Sequence, residues 1–160
     1  MARKEDFFNA IRNGTLEEIQ KTLTNVPDLL NAIDERGSTP LLLATYYGHM
    51  EVAKYFLDLG AEVDAKDSSG NTALMGVCFK GYENVAELLV NAGANVNHVN
   101  SMGATSLIYA ASFNKIGIAK ILLENGADIH TKDARGNTAL DNAKMQEAQG
   151  MIELLQRYSQ

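Results

Sequence analysis

Residues 34–66 read DERGSTPLLLATYYGHMEVAKYFLDLGAEVDAK, and the same frame returns three more times along the chain. Asp34-x-x-Gly37-x-Thr39 recurs as Asp67-x-x-Gly70-x-Thr72, Asn100-x-x-Gly103-x-Thr105 and Asp133-x-x-Gly136-x-Thr138, each 33 residues after the last. The register then holds through Leu41, Leu74, Leu107 and Leu140 and through Ala44, Val77, Ala110 and Ala143, with no residue inserted or lost. A fixed period of this length is the mark of a solenoid, in which each unit is one supersecondary element stacked on its neighbours.

Each position in the frame has a physical reason. Asp or Asn followed three residues later by Gly suits a tight turn, because the short side chain bonds nearby backbone N–H groups. Thr39 then suits a helix N-cap, and Pro40 suits the first helical position, where its missing N–H does no harm. The first helix should end near Gly48 and Gly81. Val52/Tyr55/Phe56, Val85/Leu88/Leu89, Ile118/Ile121/Leu122 and Met151/Leu154/Leu155 have the i, i+3, i+4 spacing of a second helix with one buried stripe. Gly60, Gly93 and Gly126, each followed by Ala, suit the left-handed residue that closes such a helix.

The segments Gly37-Ser-Thr-Pro-Leu-Leu-Leu-Ala44, Gly48-His49 and Leu59-Gly60-Ala61-Glu62-Val63-Asp64, with Asn91-Ala-Gly-Ala-Asn-Val-Asn97, resemble the ankyrin repeat over essentially the whole chain. The resemblance implies an all-α solenoid of five helix-turn-helix units with short β-turn or hairpin connections. The expected arrangement is one domain over 1–160: an N-terminal cap over 3–33, units at 34–66, 67–99 and 100–132, and a C-terminal cap over 133–158. In the divergent first unit, Phe7, Phe8, Ala10 and Ile11 form the first helix, Gly14 the break, and Leu16, Ile19 and Leu23 the second helix. One departure stands out. Where ankyrin repeats usually carry a His that bonds backbone between units, this chain has Leu42, Met75, Ile108 and Asp141, so apolar packing is expected in its place in three units.

Composition narrows the function. A formal charge of −6 with pI near 5.0 opposes the polyphosphate of nucleic acid. A lone cysteine cannot form an internal disulfide, so a reducing, cytoplasmic setting is expected. The start Met1-Ala-Arg-Lys-Glu-Asp lacks the apolar run of a leader, and no apolar stretch reaches membrane-spanning length.

Chemistry is sparse. His49, His98 and His130 fall at three different positions of the repeat, so a shared metal site is not expected. Cys78 stands where a small core residue belongs, and the glycines lack the following Lys-Ser or Lys-Thr of a phosphate loop. Glu51, Glu83, Glu87, Glu124 and Glu153 read as a solvated face. Neither a cofactor nor catalysis is expected, although an enzyme with an unrecognised site and a self-associating structural protein remain alternatives.

The resemblance implies binding through turn tips and the exposed side of the first helices. Carried over by register, the partner-binding candidates are Arg12, Arg36, Tyr46, Tyr47, Lys66, Phe79, Lys80, Met102, Phe113, Lys132, Arg135 and Met145. Aromatics at these positions are additional to the set needed for packing, as expected of an interaction patch. Basic residues outnumber Glu35 on this face, so the groove should be positive against an acidic body. The expected partner is a protein with an acidic, partly apolar surface, held by a chain that is monomeric when free. Its role would be that of an adaptor, inhibitor or immunity-type partner, and an array standing alone resembles many bacterial ankyrin proteins.

Overall fold

The computed structural model describes residues 2–159, in which ten α-helices follow one another in pairs with no strand among the described residues. The pairs are α1 (Ala2–Asn13) with α2 (Leu16–Asn25), α3 (Pro40–Tyr46) with α4 (Met50–Asp58), α5 (Ala73–Lys80) with α6 (Glu83–Asn91), α7 (Ser106–Ser112) with α8 (Ile116–Glu124), and α9 (Ala139–Met145) with α10 (Gln149–Tyr158). A 3-10 turn over Pro27–Asn31 joins the first pair to the second. First helices pack on first helices and second helices on second helices, which is the stacking that a 33-residue frame demands.

The helices start where the sequence places them. Thr39, Thr105 and Thr138 each accept a hydrogen bond from the backbone N–H three residues on, and Pro40 opens α3. Thr72 occupies the same position without such a bond and is buried instead. The second helices close by a Schellman arrangement. Gly60 stands at φ 93°, its N–H bonds the carbonyl of Leu57, and the Ala61 N–H bonds that of Phe56.

Small residues run through the stack. Ala10, Ala44, Val77, Ala110 and Ala143 are buried along the first helices, and their size lets neighbouring backbones approach closely. Phe56, Leu89, Leu122 and Leu155 fill the layer between first and second helices. Leu42, Met75 and Ile108 are buried as expected for the positions that lack histidine. Asp141 instead completes a capping box, in which the Thr138 N–H donates to its carboxylate and its own N–H donates to the Thr138 hydroxyl.

The connections are turns stacked on turns, with no paired strands of a hairpin among the described residues. Asp34 accepts bonds from the N–H groups of Arg36 and Ser38, and Asp67, Asn100 and Asp133 repeat this two-fold cap. Each pair of neighbouring tips shares one backbone bond: Ser68 N–H to Arg36 O at 3.3 Å, joined there by the Ser68 hydroxyl at 2.9 Å, Ser101 N–H to Ser69 O at 3.1 Å, and Ala134 N–H to Met102 O at 2.9 Å. A single backbone bond between successive tips fixes the register of the fingers without making a ladder.

Two histidines supply cross-links that sequence reading did not assign. His49 Nε2 stands 2.8 Å from the Arg12 carbonyl, joining the second pair to the first. His98 Nε2 stands 2.9 Å from the Gly70 carbonyl, joining the loop behind α6 to the turn ahead of α5. A carbonyl can only accept, so in both rings Nε2 carries the proton. The chain has thus moved its histidine cross-links to positions other than the usual one.

Candidate protein-binding groove

Helices α1, α3, α5 and α7 and the first two turn tips enclose an open groove of about 1150 Å³. Its floor and walls include Phe8, Ile33, Leu42, Leu43, Tyr46, Tyr47, Met75, Gly76, Phe79, Tyr109 and Phe113. The groove therefore spans the first four helix pairs and leaves the fifth outside.

The aromatic side chains form two clusters along the groove. Tyr46 and Tyr47 meet edge to face at 5.5 Å, Phe79 and Phe113 do so at 4.9 Å, and Tyr109 stacks on Phe113 at 6.2 Å. Tyr46, Tyr47, Phe79 and Phe113 remain 38–50% exposed despite these contacts, so the rings support one another and still present faces to solvent. Tyr109 is held from behind, because Asn100 donates from Nδ2 to its hydroxyl at 2.7 Å and to Asn71 Oδ1 at 2.7 Å. Lys80 places its ammonium 4.8 Å from the centre of the Tyr46 ring.

Six of the twelve sequence candidates line this groove: Arg12, Arg36, Tyr46, Tyr47, Phe79 and Phe113. Lys66, Lys80, Met102, Lys132, Arg135 and Met145 are exposed but lie outside the lining, on later tips or at helix ends. Sequence reading missed Phe8, Ile33, Leu43, Met75, Gly76 and Tyr109. The signal was available in part, since Leu43, Gly76 and Tyr109 share one position of the 33-residue frame.

The charge pattern is more divided than residue counting suggests. The lining holds Lys4, Arg12 and Arg36 against Glu5, Asp34, Glu35 and Asp67. Arg12 is turned inward, 3.7 Å from Asp34, and also donates to Asn9 at 2.9 Å. Asp34 and Asp67 are occupied by the N–H groups of their own turns. The positive excess expected of the groove is carried by Lys66, Lys80, Lys132 and Arg135 beyond its walls. The sequence list ran over all five units, whereas the concavity closes over four, and Glu5 enters from α1.

Cys78 is fully buried, and burial pushes its thiol up to about 12 against the opposing pull of a bond with Ser106, which keeps it protonated and unreactive. Among the described residues, no helix is long and apolar enough to cross a membrane.

An array of paired helices, capped turns and one aromatic groove defines a repeat-built interaction scaffold. The sequence profile described as ankyrin repeats (three copies) matches residues 7–100, 59–133 and 93–159, and the chain belongs to the ankyrin-repeat family, whose repeats are protein–protein interaction modules. It is 40% identical over 62 residues to protein fem-1 homolog C of Danio rerio and 41% identical over 63 residues to protein fem-1 homolog A of Homo sapiens. These matches cover 36% of this chain and 10% and 9% of those proteins. A 49-residue stretch, 31% of this chain and 19% of the relative, is 37% identical to the DNA-binding protein RFXANK of Homo sapiens. The chain thus spans a small fraction of these curated relatives.

Proposed function

We propose that this protein holds a segment of a partner protein in the groove over α1, α3, α5 and α7, acting as an adaptor, inhibitor or immunity-type regulator. The observation that carries the reading is the set of exposed rings Tyr46, Tyr47, Phe79 and Phe113 inside an open concavity. A soluble chain gains nothing in folding from leaving four rings half in water, and such a cluster marks a contact surface.

Magnitude indicates what else the partner must supply. Fully burying four rings gives roughly 6–12 kcal/mol, and because these are already about half covered, the remaining gain is roughly 3–6 kcal/mol. Association itself costs on the order of 4–15 kcal/mol, so rings alone hold a partner weakly. Lys66, Lys80, Lys132 and Arg135 around the groove favour a partner with acidic as well as apolar side chains. The net charge of −6 opposes direct contact with nucleic acid, whatever one relative's name says of that relative. The buried free thiol of Cys78 suits a reducing compartment, and we place the protein in the cytoplasm as a monomer.

The test is affinity capture from the native host with the wild-type chain and with a Tyr47→Ala, Phe79→Ala, Phe113→Ala variant of unchanged circular dichroism. The partner should be captured by the first and lost by the second. Equal capture by both removes the groove from consideration. Sedimentation of the free chain as a stable oligomer that hides the rings would make them a self-association surface instead.

A further inference from the structure

Gly76 lies inside α5, where folding has no use for a glycine. Glycine in a helix interior is less favourable than alanine, yet a Cβ built here would meet only Tyr46 Cδ1 at 3.6 Å, an ordinary contact. No left-handed backbone requires it either, since Gly76 is absent from the positive-φ glycines. At the same frame position the neighbouring units carry Leu43, which is buried, and Tyr109, which is half-buried. Omitting the side chain between them leaves a notch in the groove floor beside Tyr46, in the same lining as Phe79 and Phe113.

Lys80 stands one helical turn beyond Gly76 on the same face. Its ammonium rests over Tyr46, and among the described residues no carboxylate lies within 4 Å of it. None of the lining carboxylates Glu5, Asp34, Glu35 and Asp67 pairs with this cation, and Asp34 and Asp67 are engaged by the backbone of their own turns.

We propose that the Gly76 notch receives a single apolar side chain of the partner and that Lys80 pairs with an acidic side chain next to that anchor. This rests on the groove reading above and specifies the partner's chemistry: a peptide segment with one large apolar residue and an Asp or Glu beside it. The helical cost of Gly76 is then the cost of an open pocket, and filling the pocket from within excludes the ligand.

The probe is a phage-displayed library of random short peptides selected on the intact protein and counter-screened on the Tyr47/Phe79/Phe113 triple-Ala variant. Peptides that need the rings should share a Leu, Ile, Met or Phe with an adjacent acidic residue. Gly76→Leu, which restores the side chain present at position 43, should weaken them about tenfold or more. Gly76→Ala should weaken them less while keeping a thermal midpoint at or above the parent's, which separates pocket filling from misfolding. Lys80→Gln should lower affinity and flatten its salt dependence. Ring-dependent peptides that bind Gly76→Leu as well as the parent, or that share no acidic position, overturn the notch and leave the groove standing. A library that yields no ring-dependent peptide overturns both.

Discussion

His98 is a loop residue by sequence and a cross-link by geometry. Its Nε2–H donates to the Gly70 carbonyl at 2.9 Å from a half-buried ring, whereas His130 is exposed and lies among loop atoms that bond its backbone alone. Removing a partner from a partly buried carbonyl costs more than the bond contributes net, about 1–2 kcal/mol. His98→Ala should therefore lower the urea midpoint by that amount with an unchanged slope, and His130→Ala should stay within about 0.5 kcal/mol of the parent. Equal effects from the two substitutions would show that the cross-link does not stabilise the fold. His49 makes the same kind of bond to Arg12, at a position whose frame partners are Tyr82, Lys115 and Ala148. The Gly48-His49 pair marks the start of a second helix in sequence but not its bond to Arg12, and no repeated pattern announces His98.

At the scale of the element, the short helix α9 depends on its start. Seven residues give few internal bonds, and the Thr138–Asp141 capping box satisfies two of the free N–H groups at the N-terminus. Bonds from the Thr138 N–H and hydroxyl, aided by Lys144 and Lys132, hold the Asp141 carboxyl below its usual 3.8. The folded state thus binds this proton less readily than the unfolded state, so the stabilisation is fully present above 3.8 and is lost as pH falls through the lower folded value. Thermal midpoints should place Asp141→Asn below the parent at neutral pH, with the gap closing in that acid window. A gap independent of pH would mean that the carboxylate charge plays no part.

The same element shows how far sequence reading reaches. Thr at the cap, a periodic apolar stripe and a closing glycine make the three central helix pairs legible, since each depends on residues within one frame. The groove is less legible, because its shape depends on which side chains are missing, as at Gly76, and on which charges are already engaged, as with Arg12 and Asp34. Glu5 enters the lining from a divergent first unit whose register the repeats do not fix.

The whole molecule is a one-dimensional stack, and its ends differ in backbone strain. The break between paired helices is glycine at Gly14, Gly48 and Gly81, all with positive φ, but Asn114 and Glu147 occupy it in the last two pairs at φ 54° and 53°. A left-handed conformation costs an ordinary L-residue about 1–2 kcal/mol, and least for Asn. The strain is thus concentrated at the C-terminal end, where α9 and α10 contact α7 and α8 on one side and have no further pair among the described residues on the other. In a solenoid, stability is a sum of unit and nearest-neighbour terms, so relieving strain in the last pair acts on the opening of that pair and leaves the far end alone. Glu147→Gly should stabilise the C-terminal pair by about 1 kcal/mol, slowing amide exchange in α9 and α10 about fivefold. Exchange in α1 and α2 should be unchanged, because the first pair frays without disturbing the fifth. Equal slowing in all ten helices would instead mean that the molecule opens as one body, and a groove spanning four pairs would then be held rigid by the stability of the whole array.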